Sequence, residues 1–126
     1  MADEAFFRSY YTAYNSGDPA KISVLLHEDV ALISAEGEIR GRAAYLDMYR
    51  TVTGMFVDIM TPMAIRLTED GAVIDVHDSL TAKTTVPSFL GRAFAPGETI
   101  VLRLTARYQT RDNLIYRIEV GPWTAS

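Results

Sequence analysis

AVIDVHDSLTAKTT, residues 72–85, decides the fold, because polar and apolar side chains alternate along it. Successive side chains of a strand point to opposite faces. The run therefore divides into Val73, Asp75, His77, Ser79, Thr81 and Lys83 on one side and Ile74, Val76, Asp78, Leu80 and Ala82 on the other. The second set is apolar except for Asp78. A strand so divided belongs to a sheet with one covered face. Two more long runs, 56–67 and 98–110, and a shorter one, 114–120, read as its neighbours, with EDGA at 69–72 and RDN at 111–113 as hairpin signals. In the second of them Ile100, Leu102, Leu104, Ala106 and Tyr108 oppose Thr99, Val101, Arg103, Thr105, Arg107 and Gln109. In the last, Leu114, Tyr116, Ile118 and Val120 oppose Ile115, Arg117 and Glu119. Pro62 has no N–H for a ladder, which places the 56–67 run at a sheet edge or at a bulge. VPSFLGRAFAPG, 86–97, holds too much proline and glycine for regular structure and reads as a loop crossing the mouth of the sheet.

Upstream the period changes. Phe6, Phe7, Tyr10, Tyr11 and Tyr14 recur at three and four within 3–15, which predicts a helix. Gly17 suits the left-handed residue that ends it, and Asp18-Pro19 restarts the chain as N-cap and first residue of a short helix over 19–26. A strand over about 30–35 and a tight reversal at Glu36-Gly37 follow. Gly41 leads into a third helix, RAAYLDMYRTV, with Ala44, Met48 and Val52 on one stripe and Tyr45 and Tyr49 on the next. Helices first and an antiparallel meander afterwards is an α+β plan, in which long twisted strands curl around a concave face covered by the helices.

With 126 residues the chain is expected to form one domain over 1–126, able to bury a core without disulfides. A net charge of −4 gives no footprint for nucleic acid or an anionic membrane. Cysteine is absent, and the two histidines, His27 and His77, lack a partner at metal-site spacing, so no metal or other cofactor is expected. MADEAFF carries acids where a secretory signal needs positive charge, and no apolar run reaches membrane-spanning length. These features predict a cytoplasmic protein.

If the apolar faces line the concave side, Asp78 is the one carboxyl set among aliphatic and aromatic neighbours. Desolvation then raises its pKa and suits it to general acid or base work. Tyr10 and Tyr14, four apart on the first helix, point the same way and offer hydroxyls to the same cavity, while Phe6, Tyr108 and Tyr116 shape its walls. His77 falls with Asp75, Arg103, Arg107, Arg117 and Glu119 on the opposite, charged face, which suits solvent or a second subunit. A single bulge would invert this phase and make His77 and Asp75 the pocket pair instead. Asp58 falls in the polar phase of the Pro62 strand and stands in reserve, and His27, at the end of the second helix, suits the helix dipole.

YNSGDPAKISVLLHEDVAL and EGEIRGRAAYLDMY, within a likeness running from Phe6 to about Trp123, resemble the SnoaL-like, polyketide-cyclase-like branch of the nuclear transport factor 2-like superfamily. The resemblance implies a cone-shaped α+β barrel around an apolar cavity for a small carbonyl-bearing or polycyclic molecule, commonly in a homodimer. In the ketosteroid isomerases of that superfamily a tyrosine falls on Tyr10, the general-base aspartate near Ser34, and a second acid near Leu104 or Thr105. Both acids are missing, and no arginine shares the face of Asp78 as in the limonene epoxide hydrolases. Two readings stay open: a cofactor-free isomerase, cyclase or hydrolase with Asp78 as acid/base and Tyr10 or Tyr14 as donor, or a binding or dimeric interaction module without turnover.

Overall fold

The computed structural model describes residues 2–121 and 124–125. Trp123, near which the family likeness ends, lies outside them. The helices are α1 (Glu4–Asn15), α2 (Pro19–Ser23) and α3 (Arg42–Met55). The strands are β1 (Leu26–Ser34), β2 (Gly37–Arg40), β3 (Phe56–Leu67), β4 (Gly71–Ala82), β5 (Val86–Phe89), β6 (Arg92–Phe94), β7 (Thr99–Arg111), β8 (Leu114–Val120) and β9 (Thr124–Ala125). Local signals set the helix ends. Asp3 caps α1 by accepting from Phe6 N at 2.9 Å, Gly17 (φ 76°) ends the turn after it, and Asp18 caps α2 by accepting from Ala20 N at 2.9 Å. The second helix is shorter than expected, stopping at Ser23, so His27 lies in β1 and not at a helix end.

The strands form one sheet in the order β2-β1-β8-β7-β4-β3, with β9 beside β7. All pairings are antiparallel except β1 with β8, so the sheet is mixed. It does not close on itself: β2 and β3 are its edges, and the helices cover the concave face. The architecture is α+β, with N-terminal helices packed on a curved, mostly antiparallel sheet. Pro62 satisfies both of its sequence expectations, since β3 is an edge strand and its register slips between Pro62 and Ala64. Segment 86–97 departs from expectation: β5 and β6 pair as a small separate hairpin, with Val86 and Phe94 buried. Phe89 and Phe94 lie 4.8 and 5.2 Å from the ring of Phe56, apolar anchors that override the prolines and glycines around them. Among the described residues no helix is long and apolar enough to cross a membrane.

The core lies in two apolar clusters. One joins α1 and α3 to Ile74, Val76, Ala106, Tyr108, Ile115 and Ile118. The other joins Phe56, Leu80, Ala82, Ile100 and Leu102 to the β5–β6 hairpin. Along β4 the seam between them falls at Asp78, between Val76 and Leu80; along β3 it falls at Asp58, between Phe56 and Met60. At the start of β4, Gly71 lets the strand lie close on β7, because a Cβ at this residue would stand 1.8 Å from the carbonyl oxygen of Tyr108. Gly71→Ala must push two backbones apart. It is expected to lower stability by about 3 kcal/mol or more in urea denaturation.

Candidate active site

Alternation along β4 is unbroken from Ala72 to Ala82, and Ile74, Val76, Asp78, Leu80 and Ala82 are its buried set. Asp78 therefore faces the concave side and is only 6% exposed. Its neighbour there is Asp58, also 6% exposed. The expectation that Asp58 belongs to a polar, outward phase fails for a simple reason. Phe56, Asp58 and Met60 form the inward set of β3, and the slip near Pro62 comes after them. The register pairs Met60 with Asp78 and Asp58 with Leu80, which makes the two aspartates diagonal neighbours on one face of adjacent strands.

Asp58 Oδ1 and Asp78 Oδ1 are buried oxygens without a hydrogen-bond partner, and a proton between the two neighbouring carboxyls would satisfy both. Burial first, and then the bond to Asp58 and its negative charge, push the pKa of Asp78 up to about 10. Asp78 keeps its proton at neutral pH. Tyr14 donates from Oη to Asp58 Oδ2 at 2.7 Å.

Asp58 is held in place from α1. Asn15 uses both ends of its amide on Met60, donating from Nδ2 to the carbonyl at 2.8 Å and accepting at Oδ1 from the N–H at 2.7 Å. The clamp covers backbone groups on the open edge of β3 and fixes the turn that carries Tyr14. Tyr49 Oη donates to the Tyr14 carbonyl at 2.6 Å and ties the same turn to α3.

The pair faces a cavity of about 290 Å³ lined by Tyr10, Tyr14, Tyr45, Tyr108 and mainly aliphatic side chains from α3, β1, β4, β7 and β8. Lysine, arginine and histidine are absent from that lining among the described residues, so no basic side chain faces the two carboxyls from this cavity. Tyr10 and Tyr45 share a hydrogen bond of 2.5 Å, and Tyr11 and Tyr108 one of 2.8 Å. Each pair contains two hydroxyl hydrogens and spends one, leaving one donor per pair for an oxygen in the cavity. Burial raises the pKa values of Tyr10, Tyr14, Tyr45 and Tyr108, so all four keep their protons. A larger groove of about 460 Å³ runs between the ends of α1 and α3, is rimmed by Arg50 and Lys83, and meets Asp58 from behind. Its lining is mixed and reaches Asp58 alone, whereas both carboxyls line the apolar cavity.

The other sequence candidates are placed as follows. Tyr108 lines the cavity, at the centre of the aromatic cluster with Phe7, Tyr10 and Tyr11. Phe6 is outside it, packed at the margin of the core against Phe7 at 5.3 Å. Tyr116 is also outside. The β7–β8 register steps from Gln109–Arg117 to Thr110–Ile115, which leaves Tyr116 as the extra residue of a bulge. It stacks instead on His27 at 5.2 Å and under Arg111 at 3.8 Å. His77 lies on the outer face in a shallow depression with Asp75, Arg103 and Thr105, away from Asp78. Asp75 accepts from Arg66 at 3.0 Å and Thr105 at 2.9 Å, and these bonds, Arg66 first, hold its pKa below the usual value. Ser34 and Leu104 line the cavity, so the positions of the isomerases' two acids face the site but carry no carboxyl. Among the described residues no cluster of three or more acidic or histidine side chains could hold a metal ion.

The fold has close counterparts. A candidate polyketide cyclase from Silicibacter sp. TM1040 superposes with a TM-score of 0.80 at 21% identity, over 95% of this chain and 87% of that one. Another from Pseudomonas putida KT2440 gives 0.76 at 23% identity, over 97% and 92%. A computationally designed 17-OHP binder gives 0.76 at 13% identity, over 96% and 95%. These likenesses concern the fold alone. Comparison with curated proteins finds no match. The sequence profile of the SnoaL-like domain matches residues 7–118, nearly the whole chain, and the protein belongs to that family.

Proposed function

We propose that residues 1–126 form a single domain that works without a cofactor on an apolar, carbonyl-bearing or polycyclic molecule, moving a proton with the Asp58–Asp78 pair. The observation that carries this reading is a pair of buried carboxyls, side by side on one sheet face, at the wall of an apolar cavity lined by no basic side chain among the described residues. Asp58, which accepts from Tyr14 and lies beside Asp78, takes a proton from the carbon next to the carbonyl. The oxygen that gains electrons is met by the unspent hydrogen of the Tyr10–Tyr45 pair, and Asp78 supplies or recovers the proton that completes an isomerisation or ring closure. Tyr14 is committed to Asp58, so Tyr10 is the donor of the two. Val57 and Ile59, 51% and 39% exposed, stand on the outer side of edge strand β3 with the exposed Met63 at its bulge, and we assign this apolar edge to a second copy of the chain in a homodimer.

The test is exchange of the α-hydrogens of 2-decalone in D2O, followed by mass spectrometry. The protein is expected to accelerate deuterium uptake over buffer at pH 7. A ketone that binds and exchanges no faster than in buffer would make the cavity a binding site without turnover.

A further inference from the structure

The β5–β6 hairpin turns through Leu90 and Gly91, whose φ angles are 53° and 78°. Two-residue turns with positive φ at both positions favour Asn-Gly, because Cβ makes that backbone costly for a branched apolar residue. Leucine here is a local misfit. Such strain persists where the side chain has work elsewhere. Leu90 is half-buried and lines the cavity together with Phe89.

The rest of the hairpin explains how the turn is aimed. Val86 and Phe94 anchor it in the second apolar cluster, and Glu98 holds its base by accepting from Arg92 at 2.7 Å and from Ala95 N at 2.7 Å. Beyond that base, at residues 82–83 and 97–98, no backbone hydrogen bond ties the hairpin to the main sheet among those described. The tip is held by side chains alone. It shares the cavity lining with Glu36 of the β1–β2 turn, Ile39 of β2, and Met48 and Val52 of α3, residues that are exposed or half-buried.

We propose that Leu90 is a specificity-determining residue, whose side chain closes the cavity at the hairpin tip and sets the length of the molecule that fits. The proposal rests on the reading of the cavity as a ligand site. It does not depend on the carboxyl chemistry. Leu90→Gly and Leu90→Asn both suit the turn and remove the apolar stop, so both variants are expected to fold.

The test is stopped-flow exchange of N-phenyl-1-naphthylamine, a neutral apolar fluorophore, with circular dichroism as the check on folding. Both variants are expected to release the probe about tenfold faster than the parent, the loss of part of one buried leucine contact. They should also bind a four-ring neutral ketone better than 2-decalone, reversing the parent's order. A parent that excludes the probe while the variants admit it supports the same conclusion. Equal behaviour of all three proteins, including no binding by any, overturns it, as does unfolding of both variants. Altered probe exchange with no deuterium uptake by the parent would leave the gate standing and remove the catalytic reading.

Discussion

Asp78→Asn is expected to make the protein more stable at pH 8, by on the order of 1–4 kcal/mol, and to flatten its dependence on pH. In the folded chain Asp78 keeps its proton to about pH 10, whereas its ordinary value is 3.8. Between those limits the folded state binds one more proton than the unfolded state, so stability falls as pH rises. The loss approaches about 1.4 kcal/mol per pH unit where this group alone governs it. Asparagine keeps a donor toward Asp58 and has no proton to lose. Urea denaturation at pH 5, 7 and 9 checks the prediction: the parent weakens steadily across the series, and the variant loses that slope. A variant weaker than the parent at pH 9 would show that Asp78 is a stabilising anion and not a protonated acid.

Asp58→Asn is expected to lower ketone deuterium exchange by about 10²–10⁴-fold, the usual worth of a positioned base, while the affinity for the ketone changes less than about tenfold. Asp58 is the proposed base, and its donor Tyr14 and neighbour Asp78 both survive the substitution. An amide in its place still fills the seam between the two apolar clusters but takes no proton from carbon. Tyr14→Phe serves as the graded comparison. It removes one hydrogen bond of 2.7 Å from the carboxylate, leaves the base in place and is expected to reduce the rate less than Asp58→Asn does. Binding by isothermal titration and exchange by mass spectrometry separate the two effects. Loss of binding parallel to loss of rate would assign Asp58 to holding the ligand.

The part of the fold that could be read from the chain was the part governed by short periods. The alternation of β4 gave the inward position of Asp78, the proline in β3 gave its edge and its bulge, and the caps at Asp18 and Gly17 gave a helix restart. What escaped depends on register and on contacts far apart in sequence. Asp58 was counted in the polar phase, although counting by twos from Phe56 brings it inward before the slip at Pro62. Tyr116 was lost to a bulge that leaves apolar alternation intact in the sequence and removes it in space. Tyr45 had a signal, its shared stripe with Tyr49 on α3, but nothing local links it to Tyr10, 35 residues away. Asn15 reaches Met60 across 45 residues, and no pattern within either segment announces that clamp. Leu90 sat in a stretch read as irregular, where the misfit of leucine in a positive-φ turn becomes visible only with the backbone.

The proposed chemistry requires a proton shared by Asp58 and Asp78 and held by Asp78 at neutral pH. It is tested most directly by titrating the Asp78 carboxyl carbon by ¹³C NMR, with Asp78→Asn for assignment and Asp58→Asn for coupling. A midpoint near 10 in the parent, shifted downward but still above 3.8 in Asp58→Asn because burial remains, is the predicted result. A midpoint near 3.8 in the parent, unmoved by removal of Asp58, would contradict it.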